Sequence, residues 1–211
     1  MKKTFLCLLT AFVLWTAAVC AVDVQPVGPM DSMVGFAGLN QWFHGLTGVH
    51  MGLYILTDWL SLLPVGLGFG FAGLGLCQWI RRRKLGLVDG DILALGGFYL
   101  AVLAAYLLFE ELAVNYRPVL INGVLEASYP SSTTVLVLCV GLTALWQLNR
   151  RIRRKTLRRW VCASLLVYTI AMVLGRLVSG VHWLSDIVGG VLIGGGLVSG
   201  YGWVCSRSRH G

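Results

Sequence analysis

The chain has 211 residues, 57% of them hydrophobic and 12% charged, with a mean hydropathy of +0.77. That composition excludes an ordinary soluble domain and indicates an integral membrane protein, with room for one domain of about six spans at ~20 residues each. The formal net charge of +8 raises nucleic acid or membrane as a partner, and where the cations sit decides between them.

Residues 1–22 open Met1-Lys2-Lys3 and continue as an apolar run closed by small residues, Ala17 to Ala21. The pattern fits a cleaved signal peptide or an uncleaved first span, and we read it as a signal-anchor or first span. A mixed stretch follows, in which Trp42 and Phe43 beside Asn40, His44 and His50 predict a segment lying in the membrane interface. The second span is predicted at 58–80, where Gly66, Gly68, Gly70, Gly73 and Gly75 form a small-residue packing face, and it stops at Arg81-Arg82-Arg83-Lys84. Asp89-Gly90-Asp91 reads as a turn and helix cap rather than a calcium loop, because the other ligand positions are apolar. The third span covers 92–112 and ends in Glu110-Glu111. After a loop containing Arg117-Pro118, Glu126 and Pro130-Ser131-Ser132-Thr133-Thr134, the fourth span covers 134–149. A basic block leads to the fifth span, 160–176, and the sixth covers 184–205, its glycines read as helix-packing surface.

Fifteen of the seventeen Lys and Arg residues fall at the N-terminus, in the second-to-third and fourth-to-fifth connections, or at the C-terminus, where Arg207 and Arg209 lie. Alternation of the spans puts all of these on one side, which predicts a six-span, N-in and C-in all-α bundle in a bacterial-type inner membrane. The positive charge is therefore a topogenic signal, and no nucleic-acid partner is expected. Arg117 and Arg176, the two remaining cations, fall at span ends on the opposite, extracytoplasmic side, near the Pro130 loop and His182. Ionisable groups so placed are functional candidates.

In Arg176-Leu-Val-Ser-Gly-Val-His182-Trp-Leu-Ser-Asp186 an arginine precedes a histidine, with an aspartate four residues further on. If a helix starts near His182, the His–Asp pair shares one face. An aspartate on one ring nitrogen fixes the tautomer and raises the nucleophilicity of the other nitrogen, while arginine offers a planar fork for phosphate. The six cysteines lie scattered through apolar runs without C-x-x-C spacing, so neither a disulfide framework nor a zinc site is predicted. The four histidines, His44, His50, His182 and His210, are far apart in sequence, and no metal or cofactor is expected.

These residues resemble the type 2 phosphatidic acid phosphatase (lipid phosphate phosphatase) superfamily in its six-span form. That family carries K-x6-R-P, P-S-G-H and S-R-x5-H-x3-D. Here Arg117-Pro118 matches the end of the first motif, Pro130-Ser131 the start of the second, and Arg176, His182 and Asp186 the third. The resemblance implies that His182 attacks phosphorus to form a phosphohistidine and that Asp186 orients it. It implies that Arg117 and Arg176, with Ser131 and Ser132, hold the phosphoryl oxygens. Such roles suit phosphoryl transfer, which is mainly positioning plus charge stabilisation.

Four positions depart from the pattern: Glu110 stands at the first-motif lysine, Ser132 at the glycine, Thr133 at the second-motif histidine and Gly175 at the serine before Arg176. A threonine hydroxyl does not replace an imidazole as general acid at neutral pH. An enzyme with these residues suits a substrate whose leaving group needs little acid help, and a diphosphate such as undecaprenyl diphosphate expels phosphate. A substitute acid is sought among Glu110, Glu111, Glu126, His44 and His50. The expected activity is hydrolysis of a lipid phosphate or diphosphate among membrane lipids; the alternative is a member that binds such lipids without turnover.

Overall fold

Helices dominate the computed structural model, which describes residues 1–207; Arg209 and His210 lie outside the described residues. The main helices are α1 (Lys2–Ala21), α2 (Ala37–Thr47), α3 (Met51–Leu60), α4 (Leu62–Arg82), α5 (Gly90–Leu112), α6 (Ser132–Arg151), α7 (Lys155–Val178) and α8 (Leu184–Arg207). With α3 and α4 counted as one continuous stretch, Met51–Arg82, six helical segments among the described residues are long and apolar enough to cross a membrane.

The centre of the bundle is α6 against α8, and its sequence explains why. Along α6 the buried positions Thr133, Val137, Val140, Ala144 and Gln147 recur every three or four residues, the spacing of one helical face. Along α8 that role falls to glycines, and α1 packs down one side of α8. A Cβ at Gly200 would stand 2.9 Å from the Phe5 ring, and one at Gly189 would stand 2.6 Å from the Tyr129 ring. The glycines of the sixth span are thus packing surface, as predicted. The second-span expectation fails: Gly66, Gly70 and Gly73 face open space, and only Gly68 and Gly75 come near α5, against Tyr99 and Ile92.

The second span also begins earlier than predicted. Helix α3 starts at Met51, and a break at Ser61, whose hydroxyl donates to the Asp58 carbonyl at 2.6 Å, separates it from α4. Pro64, with no N–H to contribute, is accommodated in the first turn of α4, where none is needed. Asp58 is therefore a helical residue facing α7, where the sequence had suggested the start of a span.

At the end of the bundle carrying the basic blocks, Asp89 and Asp91 cap nothing with their side chains. Asp89 pairs with Arg82 and Arg151, and Asp91 with Arg150 and Arg151, all at 3.0–3.2 Å. Gln78 donates to Asp89 at 2.8 Å, and the Tyr201 hydroxyl donates to the Asp91 carbonyl at 3.1 Å. The network ties α4, α5, α6 and α8 together at the end remote from Arg117 and Arg176.

Candidate active site

Three short structures bring the polar residues together at the other end. The first is the 113–131 connection, which folds back on itself. Ile121-Asn122-Gly123-Val124 makes a two-residue turn with positive φ at Asn122 and Gly123, the backbone that an Asn-Gly pair favours. The two arms pair through Arg117 N–H to the Glu126 carbonyl at 3.0 Å and Ser128 N–H to the Asn115 carbonyl at 2.8 Å. Arg117 and Glu126 consequently face one another, with Nε 2.9 Å from Oε2, although the N–H is not aligned on that oxygen.

The second is the 179–183 turn between α7 and α8. Gly180 has φ of +68°, and a Cβ there would stand 1.9 Å from the Gly48 carbonyl oxygen, so no other residue fits. His50 N–H donates to the Ser179 carbonyl at 2.9 Å and His44 Nε2 to the Gly180 carbonyl at 3.1 Å. These bonds press the turn against the α2–α3 corner and fix where His182 emerges. Both histidines weighed as substitute acids thus serve backbone carbonyls, since His50 Nε2 donates to Thr47 at 2.8 Å.

The third is the start of α6. Ser131 is fully buried, its N–H donates to the Asp186 carbonyl at 3.1 Å, and its hydroxyl accepts from Thr134 at 3.0 Å. Ser132, partly buried, opens the helix. The first N–H groups of a helix have no partner within it and carry the positive end of its dipole. Thr133, in that first turn, accepts from Arg176 Nη2, so this helix end abuts the arginine.

His182 precedes α8, so the His–Asp pair straddles the helix start. The Trp183 N–H donates to Asp186 Oδ2 at 3.0 Å, which holds the carboxylate under the imidazole with Nδ1 3.7 Å away. That separation is an electrostatic contact, longer than a hydrogen bond. Asn115 Nδ2 donates to the other oxygen, Oδ1, at 3.2 Å. Asn115 is in turn fixed by the Gly35 N–H at 3.2 Å, and Asn40 bonds Gly35 and Ser185 on the same buried floor.

On the opposite ring nitrogen, Arg117 Nη1 lies 3.2 Å from Nε2. A guanidinium only donates, so Nε2 is the acceptor and the neutral ring carries its proton on Nδ1, toward Asp186. Burial drives the His182 pKa down to about 4, an effect that the Asp186 carboxylate opposes and the Arg117 and Arg176 charges reinforce. The imidazole is neutral at physiological pH, with its Nε2 lone pair on the Arg117 guanidinium.

Arg176 is 2% exposed and reaches Asp58 at 3.2 Å, Thr133, and at 3.4 Å both the Tyr54 carbonyl and the Thr57 hydroxyl. The Tyr54 ring lies 4.8 Å from the Arg176 guanidinium and 5.8 Å from that of Arg117. Gly175 explains one departure from the motif: a Cβ there would stand 2.9 Å from the Thr57 methyl, so glycine lets α3 close on α7 and deliver Tyr54, Thr57 and Asp58. Among the described residues, Arg117 Nε and Arg176 Nε are buried without a hydrogen-bond partner. Unsatisfied buried donors beside a helix N-terminus suit an incoming oxyanion.

Six of the eight residues singled out in sequence, Arg117, Ser131, Thr133, Arg176, His182 and Asp186, come together, with Ser132 adjacent. Glu110 does not join them: it is exposed on the last turn of α5 and makes no ion pair among the described residues. Glu111 is likewise exposed.

Known proteins bear on this arrangement. The model of the PAP2 superfamily matches residues 65–209, more than half of the chain. The chain belongs to the PAP2 superfamily. Among solved structures, the crystal structure of the first transmembrane PAP2 type phosphatidylglycerolphosphate phosphatase from Bacillus subtilis superposes with a TM-score of 0.60. The match covers 97% of this chain and 96% of that one at 15% identity, and it establishes a shared membrane fold. A search of curated proteins finds no match. Family and fold together make the chain a multi-pass membrane protein of lipid phosphate phosphatase type.

Proposed function

We propose that this PAP2-superfamily protein hydrolyses a lipid phosphate or diphosphate at the extracytoplasmic membrane face through a phosphohistidine on His182. The observation that carries the reading is the neutral His182 imidazole, with Nε2 accepting from Arg117 and Nδ1 toward Asp186. In the first step Nε2 attacks phosphorus, the bond to the leaving oxygen breaks, and that oxygen keeps the electron pair. Arg117, Arg176 and the amides opening α6 stabilise the equatorial oxygens, each charge-assisted hydrogen bond contributing ~1.5–3 kcal/mol. Asp186 stabilises the positive charge that forms on the ring.

The face follows from charge. The basic clusters lie at the end opposite the site, and the excess of Lys and Arg marks the cytoplasmic side. We read α1 as the retained first span, because its side chains fill the groove left by the α8 glycines.

Thr133 stands where a protonated imidazole would assist an alkoxide, and its hydroxyl oxygen accepts from Arg176. A diphosphate, whose leaving group is the lipid monophosphate rather than an alkoxide, fits that lack of acid, and an isoprenyl carrier such as undecaprenyl diphosphate is our first choice. The test is phosphate release by purified protein in detergent from an isoprenyl diphosphate, a phosphatidate and phosphatidylglycerolphosphate in parallel. Release from the diphosphate, much slower from the monoesters, is expected. Equal rates would overturn the substrate assignment, and binding of all three without release would identify a lipid-phosphate binder.

A further inference from the structure

Hydrolysis of a phosphohistidine needs a group to take a proton from water, and the carboxylates around the arginines differ in their fitness for it. Asp186 is fully buried, accepts from the Trp183 N–H and the Asn115 amide, and lies on the Nδ1 side of the ring, away from phosphorus. Glu126 is paired with Arg117, the arginine that contacts the nucleophilic nitrogen itself. Glu110 lies elsewhere. Asp58 is different. Its side chain is 60% exposed against 39% for Glu126, each carboxylate binding a buried arginine. Arg176 Nη2 is shared between Asp58 Oδ1 and Thr133 Oγ1, so the carboxylate stands beside the start of α6.

From this placement we propose that Asp58 is the general base of the second half-reaction, an assignment that rests on the phosphohistidine reading above. Once the leaving group departs, water enters opposite Nε2, and its oxygen attacks phosphorus. The P–N bond breaks with its electron pair returning to Nε2, and the water proton passes to Asp58. Arg176 holds both the carboxylate and the phosphoryl oxygens, so base and electrophile share one anchor. The protein thereby supplies a base where Thr133 supplies neither base nor acid. A positioned base contributes about a hundred- to ten-thousandfold to such a step.

The test follows the lifetime of labelled protein after mixing with radiolabelled isoprenyl diphosphate and quenching in alkali, where phosphohistidine survives. Asn is isosteric with Asp, and the site is half open, so Asp58→Asn keeps the fold and an acceptor for Arg176. Asp58→Asn should form phosphoenzyme at close to the wild-type rate and lose it about a hundredfold more slowly, so that label accumulates. Glu126→Gln should not accumulate label, and Asp58→Glu should restore part of the turnover. Normal decay in Asp58→Asn, or loss of its formation together with its decay, would show that Asp58 serves only Arg176. Accumulation in Glu126→Gln instead would move the base to Glu126. If wild type releases phosphate with no label on any protein, the phosphohistidine reading itself fails, and this assignment fails with it.

Discussion

Arg117 Nη1 and His182 Nε2 stand 3.2 Å apart, which makes the imidazole an acceptor and sets its tautomer before any substrate arrives. The two residues are far apart in sequence, and the Trp183 indole N–H, donating to the Tyr116 carbonyl at 2.7 Å, ties their neighbours together. Lysine offers a single charge in place of the guanidinium fork. Arg117→Lys should therefore lose about 2 kcal/mol of transition-state stabilisation, roughly thirtyfold in kcat/KM, measured as phosphate release. An unchanged kcat/KM would remove Arg117 from the reaction.

Proton linkage follows from the lowered His182 pKa. The folded ring protonates near 4, whereas an unfolded histidine protonates near 6.5. Between those values the unfolded state binds more protons, so stability is full above pH ~6.5 and declines as pH falls toward ~4. At about pH 5 the loss attributable to this buried ring is about 2 kcal/mol. Thermal unfolding in detergent should show wild type losing more stability than His182→Gln over that window, and parallel profiles would contradict it.

Gly180→Ala tests the turn that presents His182. Alanine at positive φ costs about 1 kcal/mol, and its Cβ meets the Gly48 carbonyl, so a total of roughly 2–4 kcal/mol is expected. Its melting temperature should fall by several degrees, and phosphate release should drop further than that loss of stability explains, because the His50–Ser179 contact is displaced.

The remote ion network should separate stability from chemistry. Asp91 pairs with Arg150 and Arg151 at a half-buried site, and Asp91→Asn should cost about 1–2 kcal/mol in unfolding. Its kcat, measured well below the melting temperature, should equal that of wild type.

Hydropathy made the six spans legible, and motif spacing brought out Arg117, Arg176, His182 and Asp186. What stayed hidden has physical causes. In sequence a charge in an apolar run reads as a boundary, which starts the second span at Asp58, yet the ion pair with Arg176 lets a helix carry it. Tyr54 and Thr57 lay outside the predicted span for the same reason. Asn40 and Asn115 have no periodic signature, since a buried amide is recognised by its partners. The Asn122-Gly123 pair was a readable turn signal within a segment treated only as a loop. Motif spacing back from Arg117 points to Glu110, but α5 ends with that side chain exposed.

The central claim is that His182 carries the phosphoryl group. Its most direct measurement is peptide mapping of the alkali-quenched phosphoenzyme formed with a radiolabelled isoprenyl diphosphate, beside His182→Ala. Label on the peptide containing His182, with neither label nor phosphate release in the variant, is the predicted result. Phosphate release that persists in His182→Ala would contradict the account.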